Sequence, residues 1–323
     1  MSINWASGMH GAIGRRVDAS AYSQYIGRWS RLFVPALLAA AELTERDRVL
    51  DVATGTGEAA HLALKAVGPH GLVVGADVSS AMLEEACARL PSDRFLPVIS
   101  DGQALVFPSE SFDAVLCQLG LMFFPEPARG LAEFRRVLRP GRRAAVCVIS
   151  SSDRVPMWGP LADALSRHLP EQRDALHLSF SLADPARLEQ LFGQAGFDDV
   201  QITMERREDT VASFDEYWSP IEAGAGQMPT AYRSLSEATR HAVREEVRAR
   251  LVQFESNGRF TLPAEMLIGS GRARSRASSD AYPSLQPTCC GRLRRPSQAA
   301  ELTRWADNAL QVAARVHGDR PSA

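Results

Sequence analysis

The sequence predicts an α/β fold: a mostly parallel sheet with helices on both faces, plus helical cap elements. Three observations carry that reading. Five short runs, at 48–54, 72–78, 95–100, 112–118 and 144–150, are apolar almost throughout, as strands covered on both faces are. Between them lie stretches of helical length and pattern, at 58–67, 80–90 and 127–138, the alternation that builds a parallel sheet. The first run leads through two glycines, in Asp51-Val-Ala-Thr-Gly-Thr-Gly-Glu58, into the first of those helices.

The elements follow in order. Residues 20–43 read as a helix, with Tyr22, Tyr25, Trp29 and Phe33 near i, i+3/i+4 spacing. Ser79 or Ser80 caps the helix at 80–90, with Glu84 and Glu85 in its early turns. Pro127 suits the first turn of the next helix. Arg139-Pro140-Gly141 stops it and turns the chain into the fifth strand. Residues 151–180 read as an insertion with a short amphipathic helix at 159–168. A helix at 185–195, its terminator Gly196 and a strand at 200–204 restore the pattern. Residues 214–257 read as mostly helical and polar, and 260–271 as the source of a last strand at 265–269. From about Ser270 the chain becomes rich in Arg, Ser and Pro, with nine Arg against four acidic residues to the C-terminus. This basic tail is expected to be largely disordered, with one helix at 299–316.

Composition narrows the function classes. The chain has 323 residues, 45% hydrophobic and 23% charged, with a net charge of −2. That is ordinary for a globular protein, and nothing global points to nucleic acid or an anionic membrane. The longest apolar run, 32–41, is too short to span a bilayer. The N-terminus lacks the apolar core of a signal peptide, so a cytoplasmic protein is expected. The five cysteines show no CxxC spacing, which argues against a metal site or disulfide scaffold. Cys117 and Cys147 lie in strand-like runs and read as core.

Gly55-Thr-Gly57-Glu-Ala-Ala60 satisfies the G-x-G-x-x-G/A dinucleotide fingerprint of Rossmann-like sheets. The glycines allow a tight turn and close approach of a ligand, and the helix start at Glu58 offers free N–H groups. Asp51 narrows the ligand. A carboxylate four residues before the first glycine would repel a pyrophosphate in a poorly screened site, and would favour an ammonium or sulfonium. Asp77, 20 residues after Gly57 and at the end of the second strand, can accept from ribose hydroxyls. Asp101-Gly102, ending the third strand, can serve an exocyclic amine and a ring nitrogen. Three polar strand ends at one edge of the sheet, beside a glycine loop, weigh against three unrelated turn residues.

DVATGTGE, VVGADVSSAML, ISDGQALVFPSESFDAVLCQLGLMFF and EFRRVLRPGRRAAV, in this order, resemble the successive motifs of class I S-adenosylmethionine-dependent methyltransferases. The group of small-molecule enzymes similar to the ubiquinone and menaquinone C-methyltransferases matches best. The resemblance runs from about Tyr22 to about Gly271. It implies a Rossmann-like seven-stranded sheet with one antiparallel strand near the end, and S-adenosylmethionine as cofactor. It further implies that Asp51, Gly55 and Gly57 line the methionine part, Asp77 the ribose, Val78 and Met82 the adenosine, and Asp101, Gly102 and Gln103 the adenine. Gln118 would lie near the sulfonium. Tyr22, Arg28 and Trp29 either close over the cofactor or pack on the sheet. The resulting division is a helical lid segment at 1–43, the S-adenosylmethionine-binding domain at 44–271, and a basic tail at 272–323. The elements at 153–180 and 205–257 would cap the acceptor side. Pro140-Gly141-Arg142 departs from the family's usual Pro-Gly-Gly, and the tail is unlike the family.

The chemistry expected is methyl transfer to a C, O or N atom of a small hydrophobic or aromatic molecule by in-line displacement. Alignment and exclusion of water do most of that work. A general base is needed only for an acceptor that must lose a proton. His168 and His177, in the insertion after the fifth strand, are the candidates. Two other readings stand beside this one. A non-catalytic protein binding the same ligand would carry the same motifs. An NAD(P)-dependent oxidoreductase would need a catalytic pair such as Tyr-x-x-x-Lys, which is absent: the sole lysine, Lys65, lies in the first helix.

Overall fold

The computed structural model describes residues 26–91, 93–224 and 226–274. Expectations for Tyr22, for Cys289 and Cys290, and for the basic tail beyond Arg274 lie outside the described residues.

The described chain opens with a single turn, α1 (Arg28–Ser30), and a separate helix, α2 (Val34–Ala40). The continuous helix expected over 20–43 is thus broken at 31–33. Pro35 explains the break. In a continuous helix it would lack the N–H that bonds to Arg31 and would collide with that carbonyl, so it is accommodated in the first turn of a new helix.

The sheet strands are β1 (Arg48–Val52), β2 (Leu72–Asp77), β3 (Phe95–Ile99), β4 (Phe112–Gln118) and β5 (Leu138–Ile149). The helices between them are α3 (Glu58–Ala66), α4 (Ser80–Arg89) and α5 (Pro127–Val137). These lie within a few residues of the sequence reading, save that β5 starts at Leu138, six residues early. Leu138 pairs with Phe112 before the register shifts to Arg143 opposite Ala114, so the Arg139-Pro140-Gly141 turn is taken up inside the strand. Ser79 caps α4 by accepting from the Met82 N–H. α5 buries Gly130, Leu131, Phe134 and Val137, the i, i+1, i+4, i+7 face of an amphipathic helix. Each Leu or Phe so enclosed contributes about 1.5–3 kcal/mol.

After β5 come α6 (Gly159–His168), the single-turn α7 (Arg173–Leu176), α8 (Pro185–Gln194) and β6 (Phe197–Val211). Next are α9 (Phe214–Ala223), α10 (Gln227–Arg233), α11 (Glu237–Leu251), the two-residue β7 (Glu255–Ser256) and β8 (Arg259–Ala273). The strand order is β3-β2-β1-β4-β5-β8-β6, with β7 appended to β8. β1 to β5 run parallel, and β8 runs antiparallel to both β5 and β6. The expected Rossmann-like sheet with one reversed strand near its end is therefore present, with β7 as an eighth, minor strand.

β6 and β8 are far longer than the expected 200–204 and 265–269. β8 pairs with β5 only from Met266 to Arg272. From Glu265 back to Phe260 it pairs with β6 instead, down to Val211. This two-stranded ribbon overshoots the end of β5 by roughly 20 Å at about 3.3 Å per residue. Its β6 strand, Glu205-Arg-Arg-Glu-Asp-Thr210, is only partly buried and carries no apolar alternation, whereas Phe260, Leu262 and Ala264 of its β8 strand alternate and are buried.

The segment at 205–257, expected to cap the acceptor side, is thus strand at both ends and helical between. The helices, polar overall in sequence, hold an aromatic core of their own. Phe214 stacks on Trp218 with ring centroids 5.5 Å apart, and Tyr232 meets Trp218 edge-on at 5.2 Å. Val243, Val247 and Leu251 of α11 are buried as well, where that helix packs on α6. The Tyr217 hydroxyl donates to the Met157 carbonyl at 2.8 Å, tying this cap to the insertion after β5. Among the described residues no helix is long and apolar enough to cross a membrane.

Candidate functional site

β1 lies between β2 and β4, so the chain leaves it toward opposite edges of the sheet. In open α/β sheets the crevice outside the strand ends at such a point is where ligands bind. The glycine loop fills that place. Its backbone is contorted: Ala53 and Gly55 take φ of +56° and +53°, and Gly57 takes +84° as the N-cap of α3. A Cβ on Gly55 would meet nothing within 4 Å, so the loop is open there. Leu119, just past β4, is also left-handed at φ +54°. Two non-glycine residues in that region at adjacent strand ends are strain of the kind that gathers at binding sites.

Asp51 is wholly buried. Its Oδ2 accepts from Thr54 Oγ1 at 2.7 Å, while Oδ1 is enclosed with no partner in bonding geometry. Burial pushes its carboxyl up to about 7; the Thr54 hydroxyl and the Ala60 N–H oppose this and nearby Asp77 adds to it. A buried anion lacking a counter-cation is costly. A cationic ligand group beside Oδ1 would remove that cost.

Asp77 holds the loop in shape. Its Oδ2 accepts from the Gly55 N–H and its Oδ1 from the Ser79 N–H, both at 2.9 Å. Burial raises its pKa, and the N–H groups of Ser79, Gly55 and Val78 counter it. Each oxygen keeps a second lone pair, enough to accept from a hydroxyl. Val78 and Met82 stand half-buried beside it.

Asp101, half-buried after β3, accepts the Gln103 N–H at 2.9 Å. Gly102 is enclosed: a Cβ there would overlap the Phe124 ring and come within 2.9 Å of Val52 Cγ1. Gln103 differs from expectation. Its side chain is buried, and its Oε1 accepts the Glu126 N–H at 2.7 Å at the start of α5. That oxygen is engaged at a helix start, and the Gln103 N–H is engaged with Asp101. The helix start at Pro127 has no other side-chain cap, which is why it recruits this amide.

Gln118, at the end of β4, donates from Nε2 to the Ser30 carbonyl of α1 at 3.0 Å, while its Oε1 is buried without a partner. α1 therefore lies over the strand ends. Trp29 is 2% exposed and belongs to the core, and Arg28 is bound to Asp209, Glu216 and the Thr210 carbonyl.

The structure thus brings Asp51, Gly55, Gly57, Asp77 and Gln118 to one rim, with Asp101 and Gly102 at the neighbouring strand end. It does not bring the histidines there. His168 is exposed in the last turn of α6. His177 faces Asp163 at 3.7 Å and the Phe180 ring. Thr54 and Ser30 went unmarked in the sequence. Thr54 had a signal, a hydroxyl three residues after Asp51; Ser30 had none, since its role is a carbonyl placed by tertiary contact.

A family model described as a methyltransferase domain matches residues 49–141. A demethylmenaquinone methyltransferase of Clavibacter sepedonicus is 45% identical over 106 residues, which is 32% of this chain and 42% of that protein. A ubiquinone/menaquinone biosynthesis C-methyltransferase UbiE of Francisella philomiragia is 31% identical over 187 residues, covering 53% of this chain and 74% of the relative. Among solved structures, a putative methyltransferase from Bacillus halodurans superposes with a TM-score of 0.52 at 19% identity, over 75% of this chain and 99% of that one, a likeness of fold alone. With the glycine loop and strand ends arranged as described, the chain belongs to the class I S-adenosylmethionine-dependent methyltransferases and is similar to the ubiquinone/menaquinone C-methyltransferases among them.

Proposed function

We propose that this methyltransferase holds S-adenosylmethionine through Asp51, Gly55, Gly57, Asp77, Val78, Met82, Asp101, Gly102, Gln103 and Gln118, and methylates a flat, hydrophobic acceptor. The observation that carries the reading is Asp51: a fully buried carboxylate with an unsatisfied oxygen beside an open glycine loop. A pyrophosphate would worsen that site, and a cation would complete it.

When bound, S-adenosylmethionine supplies a methyl group on a positively charged sulfur, already activated for displacement. The chain's own groups bind and orient. Ionised Asp51 neutralises positive charge on the amino-acid side. The first turn of α3 offers N–H groups to a carboxylate. Asp77 accepts ribose hydroxyls while fixing Gly55, so sugar binding and loop shape are joined. Gln118 Oε1 offers an acceptor on the sulfonium side. The stretch Leu119–Phe124 is almost wholly buried and excludes water from one wall.

The acceptor class follows from apolar surroundings and from the relatives, whose names place them in quinone methylation. Trp158, Tyr217 and Trp218 are buried within the cap and make its interior apolar and aromatic. A cytoplasmic location accords with such an enzyme.

Calorimetry with S-adenosylhomocysteine tests the binding. Micromolar affinity in the wild type, at least a tenfold loss in Asp77→Asn, and no heat with NADH are expected. Transfer of labelled methyl from S-adenosylmethionine to a quinol or phenol panel tests the acceptor. Silence toward S-adenosylhomocysteine at millimolar concentration would overturn the reading.

A further inference from the structure

Four consecutive residues, Arg28 to Arg31, touch three separate parts of the molecule. Arg28 binds Asp209 and the Thr210 carbonyl on the protruding ribbon, and Glu216 in the first turn of α9. The Ser30 carbonyl accepts from Gln118 at the end of β4. Arg31 Nε donates at 2.9 Å to Glu58 Oε2, at the first position of α3 directly after the glycine loop. Arg89 of α4 holds the other oxygen of Glu58 at 2.8 Å and donates to the Thr56 carbonyl at 3.0 Å. Trp29 and Ser30, between these contacts, are buried.

We propose that this turn is a crossbar through which the acceptor-side cap sets the strength of binding at the cofactor loop. The inference rests on the S-adenosylmethionine reading of that loop. Arg28 reads the cap and Arg31 the loop. One helical turn, pinned at its centre by Trp29 and Gln118, is too short to let its ends move independently. The Arg31, Leu32 and Phe33 N–H groups bond back to the Gly27, Trp29 and Ser30 carbonyls, which holds Arg31 to the turn, while Pro35 starts α2 beyond it on a separate axis. A cap displaced by an acceptor or a departing product draws Arg28 with Asp209 and Glu216. That movement is passed to Ser30 and Arg31, loosening Gln118 and Glu58. Coupling of this kind is a free energy shared by two sites, each of which biases one two-state element.

The ends of the crossbar are separable by mutation. Asp209→Ala with Glu216→Ala removes both cap ion pairs of Arg28, leaving its bond to the Thr210 carbonyl, without touching the loop. It is expected to weaken S-adenosylhomocysteine roughly fivefold, the low end of ordinary coupling, chiefly through a faster off-rate in stopped flow. Arg31→Met alone is expected to weaken it similarly, and the combined variant to be no weaker than either alone, since both break one path. Arg244→Gln, which removes the Asp215 partner elsewhere on α9, is expected to leave affinity within twofold of wild type. The proposal is overturned if the cap variant binds as wild type does, if the effects multiply, or if Arg244→Gln weakens binding as much, which would mark general loosening of the cap. A wild type that ignores S-adenosylhomocysteine would instead sink the functional reading beneath it.

Discussion

Replacing Asp51 by asparagine should make the ligand-free protein more stable while removing its ability to hold a cationic ligand. The Asp51 carboxyl, ordinarily near 3.8, stands at about 7 because burial opposes its charge. At about 1.4 kcal/mol per tenfold change in acidity, ionising it in the fold costs roughly 4 kcal/mol. Between pH 3.8 and 7 the folded chain keeps a proton on Asp51 that the unfolded chain has released. Stability is therefore lost as pH rises through this window, and the loss is complete above 7. The amide that replaces the carboxyl keeps an oxygen for the Thr54 hydroxyl and never ionises. In thermal melts without ligand, the Tm of Asp51→Asn minus that of wild type should grow from pH 5 to 8. It should then level off at about 8–16 °C, at 2–4 °C per kcal/mol for a domain of this size. In wild type, affinity for S-adenosylmethionine should rise with pH toward 7 as the partnering charge appears; the variant should show no such rise. A Tm difference that stays constant across this range would refute the assignment of a buried, unpaired carboxyl.

Other expectations follow from packing and exposure. Gly102→Ala puts a methyl into the Phe124 ring and 2.9 Å from Val52 Cγ1, and should cost about 1–3 kcal/mol, read as a lowered urea midpoint with an unchanged slope. Phe134→Ala empties a fully buried site beneath Phe124, whose ring centroid is 6.2 Å away, and should cost about 3–5 kcal/mol in the same assay. Burial pushes the Cys117 thiol up to about 12 and the Cys147 thiol still higher, whereas Cys87 is exposed. Iodoacetamide at pH 8 should therefore label Cys87 in the folded protein and reach Cys117 and Cys147 only in denaturant, as peptide mapping would show.

What the sequence alone determined was local. Uniformly apolar runs and short amphipathic helices marked β1 to β4, the apolar second half of β5 and α3 to α5 within a few residues, because a buried strand and a helix buried on one face write their period into the chain. Glycines 55 and 57 and the aspartates at three strand ends were legible because loop geometry and strand-end chemistry are set by a few neighbouring residues. Tertiary structure decided the rest. The full length of β6 and β8 depends on pairing with each other beyond the sheet, which charged residues in a ribbon do not announce. The partner of Arg28 lies 181 residues away, and no spacing rule reaches that far. Gln103 was drawn into capping α5, and Asp51 acquired its raised pKa only when the sheet and helices closed water out around it. Periodicity reports which face of a segment is buried; which groups end up together inside, and how dry they are, is a property of the assembled fold.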